Sequence, residues 1–166
     1  MLSISRICIS PAIYFAIKTE RSHLALCIVL YTLLSDGLDG FLARAMGVND
    51  GMGVLLDPLG DKCFLIGMYM GIASRVEYRW VCYALSLREA VAIFGGALMY
   101  LSGCPISAFK PIMLGKISFV VNILVGFTYL MQGDILLCMY FGLLMSYSSL
   151  IFYTTRAIIA LTDCQR

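Results

Sequence analysis

Six apolar segments, separated by short polar turns, account for nearly the whole chain. The first is short, and the others approach or exceed the roughly 20 residues that a helix needs to cross a bilayer. The pattern therefore predicts an all-α integral membrane bundle of about six transmembrane helices, forming a single domain over 1–166. The predicted helices cover 4–17, 24–43, 53–74, 80–101, 111–131 and 135–161.

The composition supports a lipid bilayer as the surroundings of this chain. Of 166 residues, 61% are hydrophobic and 13% are charged, whereas soluble domains are about 25% charged. There is no basic run, so we expect no nucleic-acid partner. None of the seven cysteines lies in a C-x-x-C pair, which disfavours a zinc site or a disulfide framework.

The distribution of cations predicts the orientation. Six spans place both termini on one side of the membrane, together with the loops near 44–52 and 102–110. Lysine and arginine concentrate on the cytoplasmic side of membrane proteins. Seven cations lie in or near that face: Arg6, Arg44, Lys62, Lys110, Lys116, Arg156 and Arg166. Four lie on the other face: Lys18, Arg21, Arg75 and Arg79. We therefore expect a multi-pass protein of the inner (cytoplasmic) membrane whose functional face is cytoplasmic.

Two aspartate pairs interrupt the apolar pattern on either side of a glycine-bearing loop. Asp36 and Asp39 are spaced i,i+3, and Asp57 and Asp61 are spaced i,i+4. On helices, each pair shares one face. A carboxylate in hydrocarbon is costly and needs a partner, and oxygen ligands suit magnesium or manganese. Two facing helices that carry these pairs are predicted to enclose divalent metal with four carboxylates.

The residues around these aspartates form a longer pattern, D-x2-D-G-x2-A-R-x8-G-x3-D-x3-D over 36–61. Every fixed position of this pattern resembles the signature of the CDP-alcohol phosphotransferase family. The resemblance implies six membrane helices, two divalent ions (Mg²⁺ or Mn²⁺) and a homodimer. It also implies transfer of a phosphatidyl group from CDP-diacylglycerol to an alcohol, with release of CMP.

The resemblance also implies roles for individual residues. Asp61, besides being a metal ligand, would be the general base that takes the proton of the acceptor hydroxyl. The cytidine would lie against small residues, and the fork of an arginine suits phosphate oxygens. The CDP-binding set is Gly40, Ala43, Arg44 and Gly53.

Other motifs favour glycerol 3-phosphate as the acceptor. The stretch Leu56–Lys62 resembles the L-D-P-x-A-D-K form that is typical of members that use this acceptor and of the related cardiolipin synthases, with Gly60 in place of alanine. Arg6 lies in an opening motif that resembles T-x-x-R-[IV]; the polar residues that usually precede it are missing, which indicates a trimmed or misassigned start. Gly115–Asn122 resembles G-K-x-K-T-x-x-Q, with Ser118 at the second lysine, Phe119 at the threonine and Asn122 near the glutamine.

A phosphate-bearing acceptor needs cations near the metals, and intramembrane ionisable residues are candidates by default. The predicted acceptor-phosphate residues are Arg88 and Lys116, with Arg6 in support. Glu89 follows Arg88 directly, as in the family's R-E motif on the fourth helix. Because adjacent helical residues do not face each other, Glu89 is not the expected partner of Arg88.

Three alternatives remain open at the level of sequence. The same chemistry with phosphatidylglycerol as acceptor would make cardiolipin, and sequence cannot distinguish a compact basic pocket from an open lateral groove. A cation transporter would explain the aspartates but not Gly40, Ala43, Arg44 and Gly53 at fixed spacing. An inactive paralogue is disfavoured because all four aspartates are present.

Overall fold

The computed structural model describes residues 2–46, 53–77, 79–101, 113–132 and 135–164, and these residues are helical apart from short turns. The prediction of an all-α chain with six helices is confirmed over this part of the sequence. The helices are α1 (Leu2–Lys18), α2 (Ser22–Met46), α3 (Gly53–Ala73), α4 (Arg79–Leu101), α5 (Met113–Leu130) and α6 (Ile135–Cys164).

The helix α3 lies at the centre of the bundle. It packs most extensively against α1, and it also contacts α4 and α5. The helix α6 closes the other side by packing on α4 and α5, while α2 contacts α1 and α5. The fully buried side chains Phe64, Met68, Tyr69 and Ile72 all belong to α3, so a residue on this helix can face several neighbours.

The helices α1 and α3 run parallel and approach closely. Ser10 Oγ donates a hydrogen bond to the carbonyl oxygen of Cys63 at 2.6 Å. A Cβ added to Gly67 would lie 2.5 Å from the carbonyl oxygen of Ser10, and one added to Gly71 would lie 3.0 Å from Ile17 Cβ. Glycines at positions 67 and 71 therefore let the two backbones meet, as small residues do between membrane helices.

The far end of α1 is also tied to α3. Glu20 adopts a left-handed φ of 59°, and the amide of Arg21 reaches back to the carbonyl of Ala16 at 3.0 Å, a common way to end a helix. Arg75, just after α3, donates from Nε to the carbonyl of Lys18 at 3.1 Å and from Nη1 to Glu20 Oε1 at 2.5 Å. These contacts fix the register of α1 along α3.

Large apolar side chains cover much of the outer surface. Exposed fractions reach 75% for Leu137, 71% for Phe94 and 67% for Leu144. Within the described residues, two helical stretches are long and apolar enough to cross a membrane, Arg79–Leu98 and Ile135–Thr155, and shorter apolar stretches cover Ser22–Ser35 and Ile117–Leu130. The apolar residues thus form both an interior and an outward-facing surface.

Candidate active site

The buried side chain of Arg6 holds the carboxylate of Asp61. Arg6 is 0% exposed in α1, and its Nη1 donates to Asp61 Oδ1 at 2.5 Å across the contact with α3. The Asp61 side chain is 22% exposed. A charge-assisted hydrogen bond from a buried arginine restricts the carboxylate, and the side chain is still partly exposed.

The next residue on α3 faces a different helix. Lys62 Nζ donates to Glu89 Oε2 of α4 at 3.1 Å. Consecutive residues on a helix are about 100° apart because one turn takes 3.6 residues. Asp61 therefore turns toward α1 while Lys62 turns toward α4, and the two charges belong to two separate ion pairs on the central helix.

Arg88 has protein partners for all three nitrogens of its guanidinium group. Nε donates to the carbonyl oxygen of Ser146 at 3.0 Å, Nη2 contacts Ser149 Oγ and Nη1 contacts Glu89 Oε1. Arg88 is 5% exposed and Glu89 is 1% exposed. In the described part of the chain, Arg88 thus connects α4 to α6.

The expectation that Glu89 would not pair with Arg88 is wrong. The two residues are adjacent in sequence, and their side chains nevertheless form an ion pair. The argument from helix geometry applies to the Cβ positions, whereas a long arginine side chain can fold back around the helix. At a buried position, pairing with a nearby carboxylate favours this conformation of the arginine side chain.

A neutral polar cluster lies next to Arg88 on the side of α5. Tyr69 donates its hydroxyl to Asn122 Oδ1 at 2.6 Å, and Asn122 Nδ2 donates to Ser146 Oγ at 2.8 Å. Ser118 Oγ lies 3.3 Å from Ser146 Oγ. The two positions that depart from the lysine and glutamine of the family-like motif, Ser118 and Asn122, therefore help to join α3, α5 and α6.

The remaining predicted site residues have helical backbones, which confirms that both aspartate pairs lie on helices. Their side chains lie outside the described part of the structure. In α2 these residues are Asp36, Asp39, Gly40, Ala43 and Arg44; in α3 they are Gly53 and Asp57; in α5 the residue is Lys116. The predicted roles of these residues as metal, CDP or acceptor ligands stay predictions.

A divalent metal fits the chemistry of the donor set. Carboxylate oxygens are the ligands that magnesium and manganese prefer, and Asp61, the member whose side chain is described, is partly exposed. The described side chains alone contain no group of three or more metal-ligating residues, and the other three aspartate side chains lie outside them. The four-carboxylate centre accordingly remains a prediction.

The comparison with protein families decides the membership of this chain. Residues 1–161 match the model of the CDP-alcohol phosphatidyltransferase family. The chain belongs to this family. The match includes every predicted site residue, so the resemblance drawn from 36–61 extends into all six helices.

Several CDP-alcohol phosphatidyltransferases and related synthases are similar to the chain. A CDP-diacylglycerol–glycerol-3-phosphate 3-phosphatidyltransferase of Aquifex aeolicus is 44% identical over 102 residues, which are 60% of this chain and 57% of that protein. A chloroplastic enzyme of the same name from Oryza sativa is 42% identical over 65 residues, 39% of this chain and 20% of that protein. Human cardiolipin synthase (CMP-forming) is 36% identical over 73 residues, 43% of this chain and 24% of that protein.

The chain spans less than two thirds of the length of each of these relatives. No solved structure gives a significant match to it. For this member of the family, the description of the site therefore depends on its own contacts.

Two charged residues that lie in the sequence motifs, Lys62 and Glu89, were assigned no role in the site from the sequence. The signal was present, because Glu89 is an acid inside an apolar helix and such a group needs a cation. The identity of the cation was not predictable, since Lys62 is on another helix and its direction depends on the rotation of α3 against α4.

Proposed function

We propose that this protein transfers the phosphatidyl group of CDP-diacylglycerol to glycerol 3-phosphate, giving phosphatidylglycerophosphate and CMP. The observation that carries this proposal is the complete family signature, whose last aspartate, Asp61, is held by Arg6 and remains partly exposed. Membership of the CDP-alcohol phosphatidyltransferase family favours a transferase over a cation transporter. The name of the Aquifex aeolicus relative supports this acceptor.

In the proposed reaction, Asp61 takes the proton of the acceptor hydroxyl. The acceptor oxygen forms a bond to the phosphorus of the phosphatidyl group, and the pyrophosphate bond to CMP breaks. A general base must lie within hydrogen-bond reach of the proton that it takes. The ion pair with Arg6 supports this role, because it restricts the Asp61 carboxylate to one region of the site.

Two divalent ions, magnesium or manganese, would be held by Asp36, Asp39, Asp57 and Asp61. Such ions would neutralise the pyrophosphate and stabilise the departing CMP. Gly40, Ala43 and Gly53 would leave room for the cytidine at the end of α2 and the start of α3. Arg44 would bind the phosphates of the donor.

The phosphate of the acceptor would be bound by cations, and we assign Arg88 and Lys116 to it. Arg6 would support them from behind Asp61. A guanidinium group carries five N–H donors, so Arg88 can donate to a phosphate while it keeps its contacts with Glu89 and Ser149. Arg88 would be held ready for this role by α6, through Ser146 and Ser149.

The surroundings of this site would be a bilayer, crossed six times by a single domain that forms a homodimer. The outward-facing leucines and phenylalanines support a bilayer, because apolar side chains on an outer surface are favourable when they contact lipid. Both α1 and α3 begin on the side of the aspartates, and the positive-inside rule assigns that side to the cytoplasm.

The experiment that tests the proposal is release of CMP by the purified protein from CDP-diacylglycerol, with magnesium or manganese. Glycerol 3-phosphate, phosphatidylglycerol, serine and inositol phosphate are offered in parallel. We expect release with glycerol 3-phosphate alone, and loss of release in Asp61→Asn. Glu77→Gln is the matched control, because Glu77 is an exposed acid outside the signature.

The second candidate is cardiolipin synthesis with phosphatidylglycerol as the acceptor. The similarity to human cardiolipin synthase (CMP-forming) favours it. Release of CMP with phosphatidylglycerol alone would decide for this candidate. Release with none of the four acceptors would contradict both.

A further inference from the structure

Glu89 joins two cations from different helices. Its Oε2 accepts a hydrogen bond from Lys62 of α3 at 3.1 Å, and its Oε1 accepts one from Arg88 of α4. The Glu89 side chain is 1% exposed. Since each carboxylate oxygen is engaged by a different cation, this buried anion is compensated and its orientation is fixed.

Within the group Lys62, Glu89 and Arg88, Arg88 is the residue that is attached to α6. Arg88 is bonded to the carbonyl of Ser146 and to the hydroxyl of Ser149 in addition to Glu89. An arginine fork with three engaged nitrogens has little freedom to rotate. Arg88 therefore anchors Glu89, and Glu89 in turn orients the ammonium group of Lys62.

Lys62 is the more exposed of the two cations that contact Glu89. Its side chain is 23% exposed, against 5% for Arg88. An ammonium group has three N–H donors, and the bond to Glu89 engages one of them. Lys62 also follows Asp61 directly on α3, so the two side chains leave the central helix at nearly the same level, although they turn toward different helices.

The charges in this cluster favour an anionic ligand. One carboxylate, Glu89, is shared by the two cations Lys62 and Arg88. The cluster thus has a formal excess of one positive charge in a partly buried place. A phosphate group, with about two negative charges and several acceptor oxygens, matches such a site.

We propose that Lys62 binds the phosphate of the acceptor alcohol, and that Glu89 is a positioning residue that holds the Lys62 ammonium group for it. This inference rests on the proposed transfer to a phosphate-bearing acceptor and adds two residues to it. Lys62 contributes a partly exposed cation on the same helix as the base, and Glu89 sets the direction of that cation.

The test is the KM for glycerol 3-phosphate, measured by CMP release from the full chain at saturating CDP-diacylglycerol. In Lys62→Met we expect this KM to rise about tenfold or more, the ratio expected for loss of a hydrogen bond to a charged group. The KM for CDP-diacylglycerol should stay within about twofold, because donor binding is assigned to other residues. Lys62→Arg, which keeps the charge, should restore most of the affinity.

Glu89→Gln tests the positioning role. A glutamine replaces one of the two carboxylate oxygens by an NH2 donor and carries no charge, so one of the two cations loses its acceptor. We expect a several-fold rise in the same KM. The double variant Lys62→Met/Glu89→Gln should have the KM of Lys62→Met alone, because residues that act through each other are not additive.

Lys18→Met is the matched control, since Lys18 is an exposed lysine at the other end of α1. The folding of each variant is checked by its elution volume in gel filtration and by the midpoint of its thermal unfolding. Should Glu89→Gln fail to fold, Lys62→Met still decides the binding role, because it leaves the pair of Glu89 with Arg88 intact. An unchanged acceptor KM in folded Lys62→Met would overturn the inference, as would additive effects in the double variant.

The outcome separates this inference from the proposed function. If the wild-type protein uses glycerol 3-phosphate and Lys62→Met behaves like it, only the inference fails. If the wild-type protein uses phosphatidylglycerol, the same comparison is made with that lipid in detergent micelles, and a raised KM supports Lys62 although the preferred acceptor was wrong. Wild-type protein without release on either phosphate-bearing acceptor contradicts both.

Discussion

Arg6 and Asp61 lie 55 positions apart in the sequence and meet through a 2.5 Å hydrogen bond between Nη1 and Oδ1. The contact is possible because α1 and α3 are parallel and both begin on the side of the proposed site. One partner is fully buried and the other is 22% exposed. The buried member of the pair is thus suited to orienting the exposed member.

We predict that Arg6 acts through Asp61. Asp61→Asn should lower kcat by about 10²–10⁴-fold, the usual contribution of a general base. Arg6→Met should lower kcat by about tenfold or more. Without Arg6, the Asp61 carboxylate is no longer held in one orientation, and the rate depends on the orientation of the reacting groups. Arg6→Lys keeps a charged donor and should retain part of the activity.

The double variant Arg6→Met/Asp61→Asn decides whether the two residues form one unit. We expect it to be no slower than Asp61→Asn, because the effects of residues that act together are not additive. Independent losses that multiply in the double variant would contradict the role of Arg6 as a positioning residue. A raised acceptor KM with an unchanged kcat in Arg6→Met would assign it to acceptor binding alone.

Gly67 should be essential to the close contact of α1 with α3. An alanine there would place Cβ 2.5 Å from the carbonyl oxygen of Ser10, and the backbone of α1 would have to move. Overpacking of this kind costs about 1–3 kcal/mol. We expect Gly67→Ala to lower the free energy of unfolding by this amount and to reduce CMP release, because α1 carries Arg6.

Gly95→Ala is the control for this prediction. No atom lies within 4 Å of a Cβ added at Gly95, and alanine is a better helix former than glycine by about 1 kcal/mol. This variant should be as stable as the wild-type protein or slightly more stable in an unfolding titration with dodecyl sulfate in mixed micelles. Equal destabilisation by both alanines would show that the contact at Ser10 is unimportant.

The helices could be predicted from the sequence because each is a long apolar run bounded by polar turns. The predicted range 53–74 ends one residue after the observed α3 of Gly53–Ala73, and the predicted range 135–161 ends three residues before the end of α6, Ile135–Cys164. Hydropathy alone is enough for this, because a long apolar run between two polar turns is itself a signal for a buried or membrane helix.

The partners within the site could not be predicted in the same way. Glu89 needed a cation, yet its choice of both Lys62 and Arg88 depends on how α3 and α4 are rotated about their axes. Ser118 and Asn122 were treated only as departures from a motif. Their hydrogen bonds to Ser146 depend on where α6 crosses α5, and that position leaves no local signal in the sequence.

The hydrogen bond from Tyr69 to Asn122 should stabilise the contact between α3 and α5. Both side chains are fully buried and the oxygen atoms are 2.6 Å apart. Interhelical hydrogen bonds in membrane proteins contribute about 0.6 kcal/mol on average and up to about 1.7 kcal/mol. A double-mutant cycle with Tyr69→Phe and Asn122→Ala should give a coupling energy in this range.

The control for this cycle is Tyr83→Phe, because Tyr83 is half exposed on α4. It should change neither stability nor CMP release. A coupling energy near zero between positions 69 and 122 would mean that each group finds another partner when the bond is removed.

The outward-facing surface of α6 provides a test of the bilayer assignment with opposite outcomes for a membrane protein and a soluble one. Leu144 is 67% exposed and lies near the middle of the apolar stretch Ile135–Thr155. A lysine at the centre of a membrane helix costs about 2.5–3.5 kcal/mol, whereas a lysine on a water-exposed surface costs almost nothing. Leu144→Lys should therefore reduce the amount of folded protein in carbonate-washed membranes several-fold.

Met131→Lys is the matched control, because Met131 is 55% exposed just beyond the end of α5. A lysine at this end can reach the polar headgroups, so its yield should equal that of the wild-type protein. If this surface faced water, both variants would accumulate equally and Leu144→Lys would increase solubility. The difference in yield between the two lysines thus measures whether the exposed leucines of α6 face hydrocarbon.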